Sequence, residues 1–266
     1  MALVATPETR SVGGIEIDVL LRGEGQPLLF LHPEIGLDRA APVLGRLAAQ
    51  FRLIAPFHPG YGAAPAVPAL SSVDDLAYLY LDLLETLDLR ETVLVGVGLG
   101  GWIAAEIATK GSERLSHLIL ADAVGVKLAD RTTREIADVF ALTEEEIAER
   151  AWANPARGRL GAAASGDDEA LLALARARES TARYAWQPYM HNPKLKGRLH
   201  RIAVPTLVLW GAADRIVTPE YGRGYAQLIG GARFALIEGA GHYPHLERPE
   251  EFSDRVLDFV RARLAA

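Results

Sequence analysis

Three stretches of the chain could do chemistry, and each follows an apolar run that is typical of a buried strand. Gly98 comes just after TVLVG, Asp214 after TLVLWG, and His242 after RFALIE. A histidine oriented by a carboxylate is a common proton-transfer pair in enzymes. The carboxyl ends of parallel strands meet at one edge of a sheet, so we expect these three positions to converge there.

The segment around Gly98 has the glycine spacing of a sharp strand-to-helix turn. Gly96 and Gly100 match the first and last positions of the pattern G-x-S-x-G, in which the central residue is the nucleophile. That central residue has a strained backbone, and Gly98 has no side chain that could attack a substrate. Three origins remain open: a serine removed by engineering, a natural protein without catalysis, or an enzyme that needs no nucleophile there.

The elements that must position these residues alternate between strands and helices. Alternation of this kind predicts an α/β fold, with a mainly parallel central sheet and helices on both faces. The block 127–200 is rich in Ala, Glu and Arg, and it contains no convincing strand, so we predict one domain over 1–266 with a helical insertion at 127–200. Within it, EIADVF, EEEIAERAW and DDEALLALARARES are predicted helices and GRLGAAASGDD a loop. The predicted strands are GIEIDVLLRG, LLFLH, RLIAP, TVLVG, LSHLILAD, VPTLVLWG and RFALIE.

From about Gly14 to Leu264, the order of these motifs resembles the α/β-hydrolase superfamily. It looks like the capped branch of this superfamily, which includes esterases, C–C bond hydrolases and haloalkane dehalogenases. LLFLHPEIG resembles the family's oxyanion loop and VLVGVGLGGW its nucleophile elbow, while VLWGAADRIVTP and GAGHYPHLERPEEF resemble its acid and histidine loops. The resemblance implies the α/β-hydrolase fold, with residues 127–200 as a helical cap.

The resemblance also implies roles for individual residues. Asp214 would orient the imidazole, and His242 would be the general base. The backbone N–H groups of Leu99 and Glu34 would be the two oxyanion donors, and the nucleophile position would be vacant at Gly98. The chain departs from the family a second time at Pro33, where a glycine usually follows the loop histidine.

Several aromatic residues and one further carboxylate are weaker candidates. The side chains that either pack the insertion onto the body or line a substrate pocket are Trp102, Tyr184, Trp186, Tyr189 and His191. Asp122 ends another predicted strand. It is either an alternative acid or, as we favour, a structural residue.

The amino-acid composition excludes several kinds of binding partner and of chemistry. A net charge of -6 argues against nucleic acid, and the absence of cysteine excludes disulfides, thiolate catalysis and Cys-ligated metals. The histidines lack a metal-ligand spacing such as H-E-x-x-H, so we expect no metal and no cofactor. Neither a secretory signal nor a membrane-spanning run is found, and we expect a cytoplasmic protein with a small-molecule substrate. The sequence does not indicate an oligomeric state.

These observations favour a hydrolase scaffold for a small apolar ester or carbonyl-containing substrate, with an Asp-His pair and an oxyanion hole but no serine. The alternatives are a lyase, a cyclase or a cofactor-independent oxygenase that uses His242 as base, and a binding protein without turnover. If only the serine is missing, Gly98→Ser should raise ester hydrolysis.

Overall fold

The structure is a computed structural model that describes residues 6–37, 40–111, 113–130, 132–159 and 168–262. Its centre is one sheet of eight strands in the order β1-β2-β4-β3-β5-β6-β7-β8. The β1–β2 and β2–β4 pairs are antiparallel, and the other neighbours are parallel. The strands are β1 (Glu8–Val12), β2 (Ile15–Arg22), β3 (Pro27–Leu31), β4 (Arg52–Pro56), β5 (Thr92–Val97), β6 (Leu115–Ala121), β7 (Thr206–Gly211) and β8 (Arg233–Ile237).

Helices cover both faces of the sheet, and an apolar core lies under each layer. The helices are α1 (Ala41–Ala48), α2 (Val73–Thr86), α3 (Leu99–Lys110), α4 (Glu144–Ala151), α5 (Pro155–Arg159), α6 (Asp168–Ala185), α7 (Pro219–Gln227), α8 (Pro244–Glu247) and α9 (Pro249–Arg261). The predicted α/β-hydrolase fold, with a mainly parallel sheet and helices on both faces, is confirmed. The short edge strand β1 was not predicted from the sequence.

The insertion between β6 and β7 contains α4, α5, α6 and a 3₁₀ turn at Leu199–Arg201. Its described residues, 127–130, 132–159 and 168–200, include no strand of the sheet. The predicted helix EIADVF is wrong: Ile136 instead forms an isolated antiparallel bridge with Val217. Most of the predicted loop GRLGAAASGDD, namely 160–167, lies outside the described residues.

Ser72 and Asp75 form a complete capping box at the start of α2, with each side chain accepting a hydrogen bond from the other residue's backbone N–H.

None of the described helices is long and apolar enough to cross a bilayer.

Candidate active site

The strand-to-helix turn at Gly98 has the predicted shape. β5 ends at Val97 and α3 begins at Leu99, while Gly98 between them has φ 54° and ψ -116°. A Cβ on Gly96 would lie 2.2 Å from the Gly100 carbonyl oxygen, which requires glycine at that position of the strand. The positive φ and the tight approach of strand to helix make this turn an elbow.

Asp214 and His242 form a buried pair beside this elbow. Asp214 Oδ2 lies 2.7 Å from His242 Nδ1, and both residues are almost fully buried. The other carboxylate oxygen, Oδ1, accepts the backbone N–H groups of Ile216 and Val217 at 2.8 and 3.1 Å. The aspartate is therefore fixed by its own loop, and its position fixes the orientation of the imidazole.

The insertion holds the loop that carries His242. The His242 N–H donates to the carbonyl oxygen of Ala151, the last residue of α4, at 2.7 Å. Glu247 accepts from the Gly241 N–H at 2.7 Å and from the Ala153 N–H at 3.1 Å. The end of α4 and the histidine loop are thus joined by direct hydrogen bonds.

The side chain of Glu34 lies in the space beside Gly98. Its Oε2 accepts the Leu99 N–H at 3.3 Å, and its Oε1 accepts the Tyr243 hydroxyl at 2.7 Å. Oε1 also lies 3.4 Å from His242 Nε2. A Cβ built on Gly98 would come within 2.6 Å of Oε2, so the carboxylate fills the region that a side chain at Gly98 would enter.

The two backbone amides predicted as oxyanion donors meet at this carboxylate. The Leu99 N–H donates to Oε2 at 3.3 Å, and the N–H of Glu34 stabilises the negative charge of the same carboxylate. Burial would raise the pKa of this carboxyl group, but the charge of His242, together with the polar contacts of His242, the Glu34 N–H and the Tyr243 hydroxyl, outweighs burial and lowers the pKa to about 2. The amide pair therefore already holds an anion that belongs to the chain.

The two neighbouring carboxylates both raise the pKa of His242. Burial favours the neutral imidazole, but the charges of Asp214 and Glu34 outweigh burial and raise the pKa of His242 well above its ordinary range. Both carboxylates therefore favour the imidazolium form of His242, which can donate a proton, whereas the neutral form can accept one.

Asp122 is the third carboxyl group of this cluster. Its Oδ1 accepts the Gly211 N–H at 2.9 Å, and burial together with the charge of Asp214 raises the pKa of Asp122 well above its ordinary range. Asp122, Asp214 and His242 offer ligand atoms within 4.8 Å of one another. However, the 2.7 Å contact between Asp214 and His242 fits a hydrogen bond, since two atoms bonded to one metal ion at about 2 Å each lie further apart. The absence of a metal stays a prediction.

A neutral histidine pair braces the loop that carries Glu34. The His58 N–H donates to His32 Nε2 at 2.9 Å, and His58 Nε2 lies 3.0 Å from the His32 carbonyl oxygen. Burial lowers the pKa of His32 to about 4 and that of His58 well below its ordinary range. Both rings are therefore uncharged at neutral pH, and they tie the start of the Glu34 loop to the segment after β4.

The predicted pocket residues lie at several depths. Trp102 is buried beside Gly125, and the Tyr184 hydroxyl donates to the Pro59 carbonyl oxygen at 2.9 Å. Trp186 is 56 % exposed and contacts Phe140 edge-to-face.

Tyr189 and His191 make polar contacts within the insertion. The Tyr189 hydroxyl accepts the Val139 N–H at 2.9 Å and donates to the Ala137 carbonyl oxygen at 2.5 Å. His191 Nδ1 lies 2.8 Å from the Tyr189 carbonyl oxygen. These contacts pack the insertion, and a pocket role for any of the five residues stays a prediction.

Comparison with known proteins identifies the family of the chain. The model of the alpha/beta hydrolase family matches residues 28–255. The chain belongs to the alpha/beta hydrolase family. A 2-hydroxy-6-oxo-6-phenylhexa-2,4-dienoate hydrolase of Comamonas testosteroni is 26 % identical over 91 % of this chain and 90 % of its own.

Two solved structures are similar to this chain in fold. A meta-cleavage product hydrolase from Pseudomonas fluorescens superimposes with a TM-score of 0.81 over 97 % of this chain and 98 % of its own, at 19 % identity. A bromoperoxidase from Bacillus anthracis has a TM-score of 0.76 over 96 % of this chain and 100 % of its own, at 21 % identity.

Sequence reasoning placed the backbone N–H of Glu34 in this hydrolase-fold site and left its side chain either facing the pocket or in a solvated loop. A signal for the first choice is present: an acidic residue directly follows the pair His32-Pro33, in a chain with no side chain at Gly98. Tyr243 was missed. It adjoins His242, and its hydroxyl fixes the Glu34 oxygen nearest the imidazole.

Proposed function

We propose that this chain is a hydrolase of small ester- or carbonyl-containing substrates, in which His242, held by Asp214, transfers protons and the elbow contributes no side chain. The supporting observation is the imidazole between Asp214 and Glu34, beside the Leu99 N–H at the elbow. Gly98 stands where relatives with a serine would carry the nucleophile. The same site would need neither metal nor cofactor.

The proton chemistry follows from the charges. In the resting state, the His242 imidazolium can donate from Nε2 to a departing oxygen or carbon. Asp214 stabilises the positive ring and stays bonded to Nδ1 throughout. Once neutral, the imidazole can take a proton from water, which restores the starting state.

We propose that residues 127–200 cover this site as a cap and that the substrate is a small molecule bound beneath it. Support comes from the bond between the His242 N–H and Ala151, and from the Tyr184 hydroxyl that reaches Pro59. The hexadienoate hydrolase relative acts, by its name, on a carbonyl compound. That name favours a carbonyl-containing substrate for this chain too.

The test is steady-state hydrolysis of p-nitrophenyl acetate and of 2-hydroxy-6-oxo-6-phenylhexa-2,4-dienoate. His242→Ala should lower kcat by about 10²- to 10⁴-fold, which is the usual contribution of a positioned acid or base. His200→Ala is the matched control because His200 is exposed and lies outside the site. Turnover that survives His242→Ala unchanged would contradict the proposal.

One observation favours a second candidate, a binding protein without turnover. The Glu34 carboxylate already occupies the Leu99 N–H, which a substrate oxyanion would need. Under this alternative, the protein hydrolyses neither p-nitrophenyl acetate nor the hexadienoate. Equilibrium dialysis would instead show that the hexadienoate binds to the unmodified protein and binds more weakly to His242→Ala.

A further inference from the structure

We infer that the Glu34 carboxylate is the nucleophile of this site and replaces, from a different strand, the side chain that the elbow lacks. This inference rests on the proposed hydrolase function. Glu34 follows β3, whereas Gly98 follows β5, yet the carboxylate lies within 2.6 Å of where a Gly98 Cβ would be. It thus reaches the region of the elbow side chain from a neighbouring strand.

The two carboxylate oxygens have different surroundings. Oε2 is held by the Leu99 N–H at 3.3 Å. Oε1 lies 2.7 Å from the Tyr243 hydroxyl oxygen and 3.4 Å from His242 Nε2. Oε1 is therefore the oxygen next to the group that can exchange protons with a substrate, and Oε2 is the oxygen next to the backbone amide.

Accessibility also favours Glu34 as the group that meets the substrate. Its side chain is 12 % exposed, whereas those of His242 and Asp214 are 1 % and 0 % exposed. The low pKa of Glu34, about 2, keeps the carboxylate ionised, and an ionised oxygen is the attacking form. An incoming molecule would thus reach the carboxylate before it reaches the imidazole.

In the first step, Oε1 attacks the carbonyl carbon of an activated acyl ester. The carbonyl π electrons move to its oxygen, beside the Tyr243 hydroxyl and His242 Nε2–H. They then return as the C–O bond to the leaving group breaks, and His242 Nε2–H protonates that group, which leaves His242 neutral. The products are an alcohol or phenol and a mixed anhydride between the acyl group and Glu34.

In the second step, water attacks Cδ of Glu34. His242 is neutral because it gave its proton to the leaving group, and it can now accept the proton of the water. The developing negative charge is on Oε2, which already accepts the Leu99 N–H. Collapse of this intermediate releases the acid with the original Oε1, and Glu34 keeps the oxygen from water. No oxidant or reductant is required.

Oxygen-18 distinguishes this route from direct attack by water on the substrate. The full-length protein, in excess over p-nitrophenyl acetate, is mixed in H₂¹⁸O for one turnover. We expect acetate without ¹⁸O and a peptide containing Glu34 that has gained ¹⁸O. Glu34→Gln should abolish turnover, whereas Glu24→Gln, at an exposed site, should preserve both turnover and labelling.

A second readout is a quench with hydroxylamine, which converts an anhydride on Glu34 to a hydroxamate that mass spectrometry detects. A hydroxamate on Glu34 supports the nucleophile even if the acetate carries ¹⁸O. The inference is overturned if the protein hydrolyses the substrate, the acetate carries ¹⁸O, and Glu34 carries neither ¹⁸O nor a hydroxamate. The proposed function remains intact in that case. A complete lack of turnover refutes both.

Discussion

A serine introduced at position 98 should increase ester hydrolysis only when the Glu34 carboxylate is removed as well. A Cβ at position 98 would lie 2.6 Å from Glu34 Oε2 and 3.2 Å from Pro33 Cβ. The residue must also keep φ near 54°, which costs a non-glycine residue about 1–3 kcal/mol. Displacing the carboxylate adds the loss of hydrogen bonds to a charged group, at about 1.5–3 kcal/mol each.

We therefore expect Gly98→Ser alone to be destabilised and to gain little ester hydrolysis. This differs from the expectation based on sequence, because the Glu34 side chain fills the space that the serine needs. Glu34→Ala alone should be nearly inactive. The double variant, Gly98→Ser with Glu34→Ala, should hydrolyse the ester roughly a hundredfold faster than Glu34→Ala alone. This gain is well short of the roughly millionfold in kcat that a complete serine triad contributes.

The assay is steady-state hydrolysis of p-nitrophenyl acetate, with thermal unfolding of each variant to separate loss of fold from loss of chemistry. His242→Ala added to the double variant should abolish the gain, since the serine needs that base. A Gly98→Ser protein that exceeds the unmodified chain by as large a factor as the double variant exceeds Glu34→Ala would contradict the clash with Glu34. A folded double variant that remains as inactive as Glu34→Ala would contradict it as well.

The remaining predictions concern the buried polar groups around the site. Asp122→Asn should change the free energy of unfolding by less than about 1 kcal/mol in urea denaturation, because Asn keeps the acceptor for the Gly211 N–H and carries no charge. Asp122→Ala should lower it by about 1–3 kcal/mol, and equal losses in the two variants would show that Asp122 is ionised. Stability should also fall as pH drops from roughly 6.5, the unfolded histidine pKa, toward the folded pKa of His32 of about 4, because the unfolded chain binds more protons in that window. The loss is at most about 3 kcal/mol for His32, with more from His58, and urea curves that superimpose at pH 7 and pH 5 would contradict it.

Much of the site was predictable because its residues directly follow strands. Asp214 and His242 each come just after an apolar run, and parallel strands bring such positions to one edge. The elbow was predictable from Gly96 and Gly100, because their spacing reflects a close backbone approach that no other residue permits.

Other features depend on contacts that are distant in sequence. The direction of the Glu34 side chain depends on a loop that His32 and His58 hold together, across 26 residues. EIADVF has a helical pattern, but Ile136 pairs with Val217 far along the chain, and that tertiary contact overrides local preference. Neither contact leaves a periodic signal in the sequence.

The most direct test of the site is the protonation of His242, followed by NMR titration of its ring nitrogens and carbons. With Asp214 on one side and Glu34 on the other, the pKa of His242 should lie well above its ordinary range. Glu34→Gln removes one negative charge and should lower that pKa, whereas Glu24→Gln, at an exposed site, should leave it unchanged. A His242 that titrates in the ordinary histidine range and does not respond to Glu34→Gln would contradict an imidazole held between two carboxylates.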